Sequence, residues 1–234
     1  VTKLLQDRIA VITGASRGIG AAVAKRFAAE GAHVILVART VGGLEAVDDA
    51  IQAMGGQATL VPLDLMEHTK IDQLGAQLHE RYGKLDIVVG NAGVLGELTP
   101  LTHADPKMWD KVISTNITAN WRLIRSFDPL LRQSDAGRAI FVTSGVTQKI
   151  NPYWGVYAVG KAALEMLVKT YAAELGGTNI KANLIDPGAV RTAMRKHAMP
   201  GEDPMSLPSP DDITDMFVTL ASPDCTKQGE VVHV

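Results

Sequence analysis

Short runs of Val, Ile, Leu and Ala alternate along this 234-residue chain with longer stretches in which apolar residues recur every three or four positions. The short runs are "IAVIT" (9–13), "HVILVA" (33–38), "ATLVPL" (58–63), "LDIVVG" (85–90), "RAIFVTS" (138–144), "IKANLID" (180–186) and "EVVHV" (230–234). Most are apolar almost throughout, as strands covered on both faces of a parallel sheet need to be. The longer stretches, such as "GIGAAVAKRFAAEG" (18–31) and "VYAVGKAALEMLVKTYAAELGG" (156–177), read as helices. Gly31 and Gly176 stand where such helices would turn off. Strand–helix alternation implies right-handed crossovers. The pattern predicts an α/β fold, a single Rossmann-like doubly wound sheet of seven mostly parallel strands flanked by helices. No repeat, low-complexity tract or linker divides residues 1–234, so one domain is expected.

One stretch breaks the rhythm. "RKHAMPGEDPMSLPSPDD" (195–212) holds four prolines and little periodicity, and is too long for an ordinary connection. Two readings stand: a lid over a binding site at about 192–213, or a surface excursion without fixed structure.

Composition narrows the partners. The chain is 46% hydrophobic and 21% charged, as a globular protein in water would be, and its net charge of −2 gives no reason to expect nucleic acid or an anionic membrane. Its one cysteine, Cys225, cannot form an internal disulfide, which fits a reducing compartment, and no ligand cluster suggests a metal. The N-terminus lacks the charged-then-apolar pattern of a secretion signal. No uncharged apolar run approaches the ~20 residues a bilayer requires. A cytoplasmic protein is expected.

"TGASRGIG" (13–20) follows the first strand and opens the first helix. Gly14 permits a sharp exit from the strand, Gly18 lets a pyrophosphate approach the backbone, and Gly20 lets the helix pack close to the sheet. Ser16, Arg17 and Ile19 complete a loop whose helix offers its positive end to phosphates. An NAD site of this kind usually carries an acid at the end of the second strand. Here that strand ends Ala38-Arg39-Thr40. Arg17 and Arg39 together suit a ribose 2′-phosphate, favouring NADP(H) over NAD(H), although either is also readable as a solvated surface charge. Asp64, followed by Leu65 at the end of the third strand, suits an adenine amine or a helix N-cap equally well. Asn91, Ala92 and Gly93 in "GNAG" mark backbone close to a ligand, or a tight turn.

Tyr157 and Lys161 in "YAVGK" lie four apart, hence side by side on one helix face. A neighbouring ammonium favours the phenolate, so the pair predicts a tyrosine brought toward the working range of an acid–base catalyst. Ser144 would then stabilise charge on the same oxygen, although alone it reads as a cap or turn. Asn116 alone reads as a buried amide serving its own helix.

The ordered set Thr13-Gly14-x3-Gly18-x-Gly20, Asn91-Ala92-Gly93, Asn116, Ser144, Tyr157-x3-Lys161 and Pro187-Gly188 resembles the short-chain dehydrogenases/reductases over essentially the whole chain. The resemblance implies one dinucleotide-binding catalytic domain, with Asn116, Ser144, Tyr157 and Lys161 as catalytic residues. It implies a water held by Asn116 as a proton relay, and a nicotinamide carboxamide met by the Val190 backbone and the Thr192 side chain, with Pro187 and Gly188 shaping the turn. The family often has Asn where this chain has Gly90, which puts local rigidity in question.

The function expected is NADP(H)-dependent interconversion of a carbonyl and a secondary alcohol. The alternative is a 3-oxoacyl-thioester reductase, for which Arg191, Arg195 and Lys196 would meet an acidic carrier or coenzyme A. A nucleotide-binding regulator without catalysis is the reading from another class. Met194, Met199, Met205 and Leu207, with Tyr153 and Trp154, suggest a partly apolar pocket or simple packing of the lid. Apolar excess in 107–133 and 156–177, paired in relatives between subunits, implies a homotetramer, or at least a homodimer.

Overall fold

The computed structural model describes residues 3–234. Seven strands, β1 (Ile9–Thr13), β2 (His33–Ala38), β3 (Gln57–Pro62), β4 (Ile87–Gly90), β5 (Arg138–Val142), β6 (Lys181–Asp186) and β7 (Val231–His233), form one sheet in the order β3-β2-β1-β4-β5-β6-β7. Every neighbouring pair is parallel. The order reverses between β1 and β4, which opens a crevice beyond their carboxyl ends.

Helices cover both faces. Helices α1 (Gly18–Ala29), α2 (Val41–Ala53) and α8 (Thr214–Ala221) pack Phe27, Leu44, Ile51 and Phe217 with Ile12 and Leu36 of the sheet. On the other face α3 (His68–Tyr82), α5 (Ala119–Leu131) and α6 (Gly155–Glu174) pack Ile71, Phe127, Leu164 and Val168 against Val11, Ile35 and Phe141. Burying each such side chain is worth about 1.5–3 kcal/mol, so the two-sided core explains the nearly continuous apolar runs. Among the described residues no helix is long and apolar enough to cross a membrane.

Polar residues knit the amino ends of the strands. Asp86 accepts from the Ile9 backbone N–H at 2.9 Å and from the Ser134 hydroxyl at 2.6 Å. The buried Arg138 guanidinium donates to the carbonyls of Ser222, Pro223 and Asn179. The carboxyl ends are left free for other work.

Two local differences have physical causes. Gly31 has the positive φ of a helix exit (+92°), but after α6 it is Gly177 (+77°), not Gly176, that turns the chain. Residues 195–212 have fixed structure: α7 (Ala193–Ala198), capped by Thr192, is followed by short turns at Pro204–Ser206 and Asp211–Ile213.

Candidate active site

A cleft of about 780 Å³ runs across the carboxyl ends of the strands. At one end it is lined by Gly14, Ser16, Arg17, Gly18 and Ile19, by Arg39 after β2, and by Asp64 and Leu65 after β3. Gly14 has φ +66°, and a Cβ there would crowd the Asn91 side chain and the Ala92 backbone. A Cβ on Gly20 would collide with the Gly14 carbonyl, so helix and strand approach to a distance only glycine allows. Gly18 has φ +58°, a conformation that favours glycine, and the Thr192 methyl lies in ordinary contact distance, 3.6 Å from where its Cβ would be. This open, cation-rimmed glycine cradle at a helix N-terminus fits a dinucleotide pyrophosphate.

Asn91 serves the cradle indirectly. Its side-chain amide donates to the Thr13 carbonyl at 2.8 Å, and the Thr13 hydroxyl accepts the N–H groups of Asn91 and Ala92 at 3.0 Å each. Thus β1 is stapled to the loop after β4, and that loop offers backbone to the cleft through Ala92 and Gly93. Asp64 is not the N-cap of α3, where Glu67 stands. It accepts the Met66 N–H at 3.0 Å and lies 3.7 Å from the Arg39 guanidinium.

At the other end α6 presents Tyr157 and Lys161 one turn apart, 8% and 4% exposed, with Ser144 at the carboxyl end of β5. The Lys161 ammonium donates to the Val142 carbonyl at 2.7 Å and lies 5.7 Å from the centre of the Tyr157 ring. It stands over the ring, and burial, not this cation, is the leading influence on the phenol. Burial dominates and pushes Tyr157 up to about 12, while the Ser144 hydroxyl, which favours the phenolate, pulls the other way. Burial also lowers Lys161 to about 8, against the raising influence of Asp186 and Glu165. The arrangement therefore holds a protonated phenol at neutral pH, a proton donor. A Cβ on Gly160 would sit 3.2 Å from the Val112 side chain and 3.5 Å from Nδ2 of Asn116, so α6 packs closely against the segment that carries Asn116.

A sequence model of the family described as short chain dehydrogenase matches residues 8–203. The chain is a short-chain dehydrogenase. It is 38% identical over 228 residues to the uncharacterized oxidoreductase YciK of Escherichia coli (strain K12), covering 96% of this chain and 90% of YciK. An uncharacterized NAD-dependent oxidoreductase of Mycobacterium tuberculosis (strain H37Rv) is 33% identical over 250 residues, 93% of this chain and 90% of that protein. A short chain dehydrogenase from Escherichia coli CFT073, solved in complex with NADPH, superposes with a TM-score of 0.95 at 37% identity, covering 100% of this chain and 98% of that one.

In this short-chain dehydrogenase Asn116 sits fully buried within a π-helical turn, Ser114–Thr118, between α4 (Pro106–Ile113) and α5. Such turns widen a helix by one residue and often mark functional sites. The Asn116 amide accepts the Val94 N–H and donates to the Val94 carbonyl, each at 2.9 Å. Its side chain thus pins the loop after β4, and its backbone carbonyl takes the Asn120 amide at 2.8 Å.

Pro187, Gly188, Val190 and Thr192 line the cleft beside Tyr157. The Thr192 hydroxyl oxygen accepts the Arg195 N–H at 3.2 Å as the cap of α7. Trp154 and Met194 line the cleft as anticipated, and Tyr153, Met199, Met205 and Leu207 do not. Leu95, Met108, His197 and Ala198 line it without having been foreseen. They arrive from three places, the loop after β4, α4 and α7, and share no common spacing. Leu95 lies close to "GNAG", and His197 and Ala198 fall within the stretch read as a lid, whereas Met108 carried no signal.

Proposed function

We propose that this short-chain dehydrogenase uses NADP(H) to interconvert a carbonyl compound and a secondary alcohol, with Tyr157 as general acid and base. The observation that carries the reading is the buried Tyr157 facing the cleft beside Ser144, with the Lys161 ammonium one helical turn away. The nicotinamide, when bound, supplies or accepts the hydride. In reduction Tyr157 gives its hydroxyl proton to the carbonyl oxygen, and the Ser144 hydroxyl donates a hydrogen bond to that same oxygen. In oxidation Tyr157 takes the proton back. Lys161 places positive charge beside the ring, which favours the build-up of negative charge on the phenol oxygen as its proton leaves.

For the 2′-phosphate, Arg17 and Arg39 line the adenosine end, and no acid closes β2. A related enzyme solved with NADPH supports this choice, and an NAD-dependent relative is the contrary case. For a thioester substrate, free cations at the mouth would be needed. Arg195 is held in a two-pronged pair with Glu202, both hydrogen bonds 2.6 Å, and Arg191 donates to the Met205 sulfur. Arg195 is thus occupied, while Arg191 and Lys196 have no carboxylate within salt-bridge distance among the described residues, so a thioester substrate stays the alternative to small ketones and quinones. Residues 192–213 act as the lid, and the exposed Trp121, Val159 and Met166 on α5 and α6 meet a second copy of the chain in a homotetramer.

The test of the function is direct. Purified protein should oxidise NADPH with at least one member of a panel of ketones, aldehydes and quinones, and faster than with acetoacetyl thioesters. Stoichiometric NADPH binding with no turnover on the panel would instead indicate a silent regulator. A monomer by light scattering at micromolar concentration would remove the assembly.

A further inference from the structure

Beneath Ser144 and Tyr157 lies a carboxylate that neither the glycine loop nor the Tyr–Lys motif includes. Asp186 closes β6 and is 7% exposed. Its Oδ1 accepts the Gly188 N–H at 3.1 Å, which fixes the turn that carries Pro187 along the cleft wall. Its Oδ2 lies 3.3 Å from Nδ1 of His233, the residue opposite it in the β6–β7 register. The other ring nitrogen, Nε2, lies 3.2 Å from the side-chain amide nitrogen of Gln148, in the loop after β5. An amide nitrogen only donates, so Nε2 accepts, and Nδ1 is left to donate its proton to Asp186. A Cβ on Gly145 would sit 3.2 Å from Oδ2, so the carboxylate lies against the residue that follows Ser144.

The charged and titratable groups around Asp186 are few. Lys161 and Tyr157 feel its charge from α6, and His233 meets it from β7. Glu165, one turn beyond Lys161, is the second acid acting on that lysine. Its Oε1 accepts the hydroxyls of Thr143 and Thr147 at 2.8 and 2.7 Å, and its Oε2 lies 3.5 Å from the Lys169 ammonium.

We propose that Asp186 is a positioning residue for the reaction assigned above: it fixes the Pro187–Gly188 turn and supplies the counter-charge to Lys161, while His233, steadied by Gln148, holds its carboxylate in place. The proposal rests on that functional reading. Its chemistry follows from sign. A negative charge here strengthens proton binding at both Lys161 and Tyr157, keeping the first cationic and the second a proton donor.

Asp186→Asn is the deciding variant, because the amide oxygen still accepts from Gly188 while the charge is gone. With isotopically labelled lysine, the Lys161 ammonium is titrated by NMR, its signal assigned by its loss in Lys161→Met. The Lys161 midpoint in Asp186→Asn should fall by about half a pH unit or more. An unmoved midpoint would overturn the counter-charge. NADPH affinity should weaken about five-fold in Asp186→Ala, which loses the turn, and less than about two-fold in Asp186→Asn, which keeps it. Equal losses would overturn the turn role. For His233, Asn presents a donor where Nδ1 stood and Ala presents none. His233→Asn should keep the wild-type midpoint and His233→Ala should not, and identical midpoints in both would remove His233 from the account. None of these readouts requires turnover. A wild type that binds NADPH and reduces nothing would sink the functional reading, while the titration would still decide the role of Asp186.

Discussion

Burial acts on the two central side chains in opposite directions, because it penalises the charged form of each. A free phenol near 10 moves up to about 12 in Tyr157, and a lysine near 10.5 moves down to about 8 in Lys161. Tyr157 therefore enters a reduction already carrying the proton it must give. Tyr157→Phe should keep NADPH affinity within about three-fold and lower kcat by about 10²–10⁴-fold, since one acidic proton is all that is removed. Fluorescence titration and steady-state kinetics would show it, and a variant with ordinary turnover would refute the acid–base role. Lys161 carries a cost in stability. Between about pH 8 and 10.5 the unfolded chain holds a lysine proton that the folded chain has released, so wild-type stability rises with pH across that window. Below it the whole penalty is present. Lys161→Met should accordingly be more stable than wild type at pH 7 by roughly 1–3 kcal/mol, with the gap narrowing toward pH 10. Urea unfolding at the two pH values measures this. A gap that stayed constant would mean that burial is not what lowers the lysine.

At the scale of elements, the periodic parts of the chain were legible and the aperiodic parts were not. "IAVIT" and "HVILVA" match β1 and β2 residue for residue, because both strands lie inside the sheet and their runs stop at Gly14 and Arg39. "RAIFVTS" was read two residues too long: the Val142 carbonyl goes to Lys161 and the Thr143 hydroxyl to Glu165, so the site takes over where the strand ends. The π-helical turn at Asn116 left no trace, since one extra residue in a helix does not disturb an apolar pattern already broad enough for two faces. Prolines hid α7, although Thr192 three residues before Arg195 was a readable cap. Asp186 escaped because its partners, Gly145, Gln148 and His233, come from distant parts of the chain. Gly90 was read as a loss of rigidity, and the structure reverses that reading. A Cβ there would collide with the Phe141 ring and the Asn120 side-chain oxygen, so the space is already filled. Gly90→Asn should destabilise the protein by about 2–3 kcal/mol through overpacking. Unchanged unfolding in urea would show that the Phe141 ring gives way.

Over the whole molecule the charges nearly cancel, at −2, yet the adenosine end of the cleft holds Arg17 and Arg39 against the single acid Asp64. Discrimination between the two dinucleotides turns on one phosphate, so it depends on how much of that positive charge remains available. Arg39 lies 3.7 Å from Asp64 with both side chains substantially exposed, a pairing that water screens and that offers little resistance to a phosphate competing for the guanidinium. Arg17 has no carboxylate within salt-bridge distance among the described residues. Charge-assisted hydrogen bonds from both would each be worth more than a neutral one. Arg17→Ala combined with Arg39→Ala should therefore weaken NADPH binding by about 30-fold or more and NADH binding by less than about three-fold, as read by parallel titrations at one salt concentration. Because the effect is electrostatic and partly exposed, wild-type preference for NADPH should also shrink as salt is raised, whereas the double variant should show almost no salt dependence in that preference. Equal losses for the two coenzymes would mean that the arginines serve the shared pyrophosphate, and that the end of β2 tolerates either ribose.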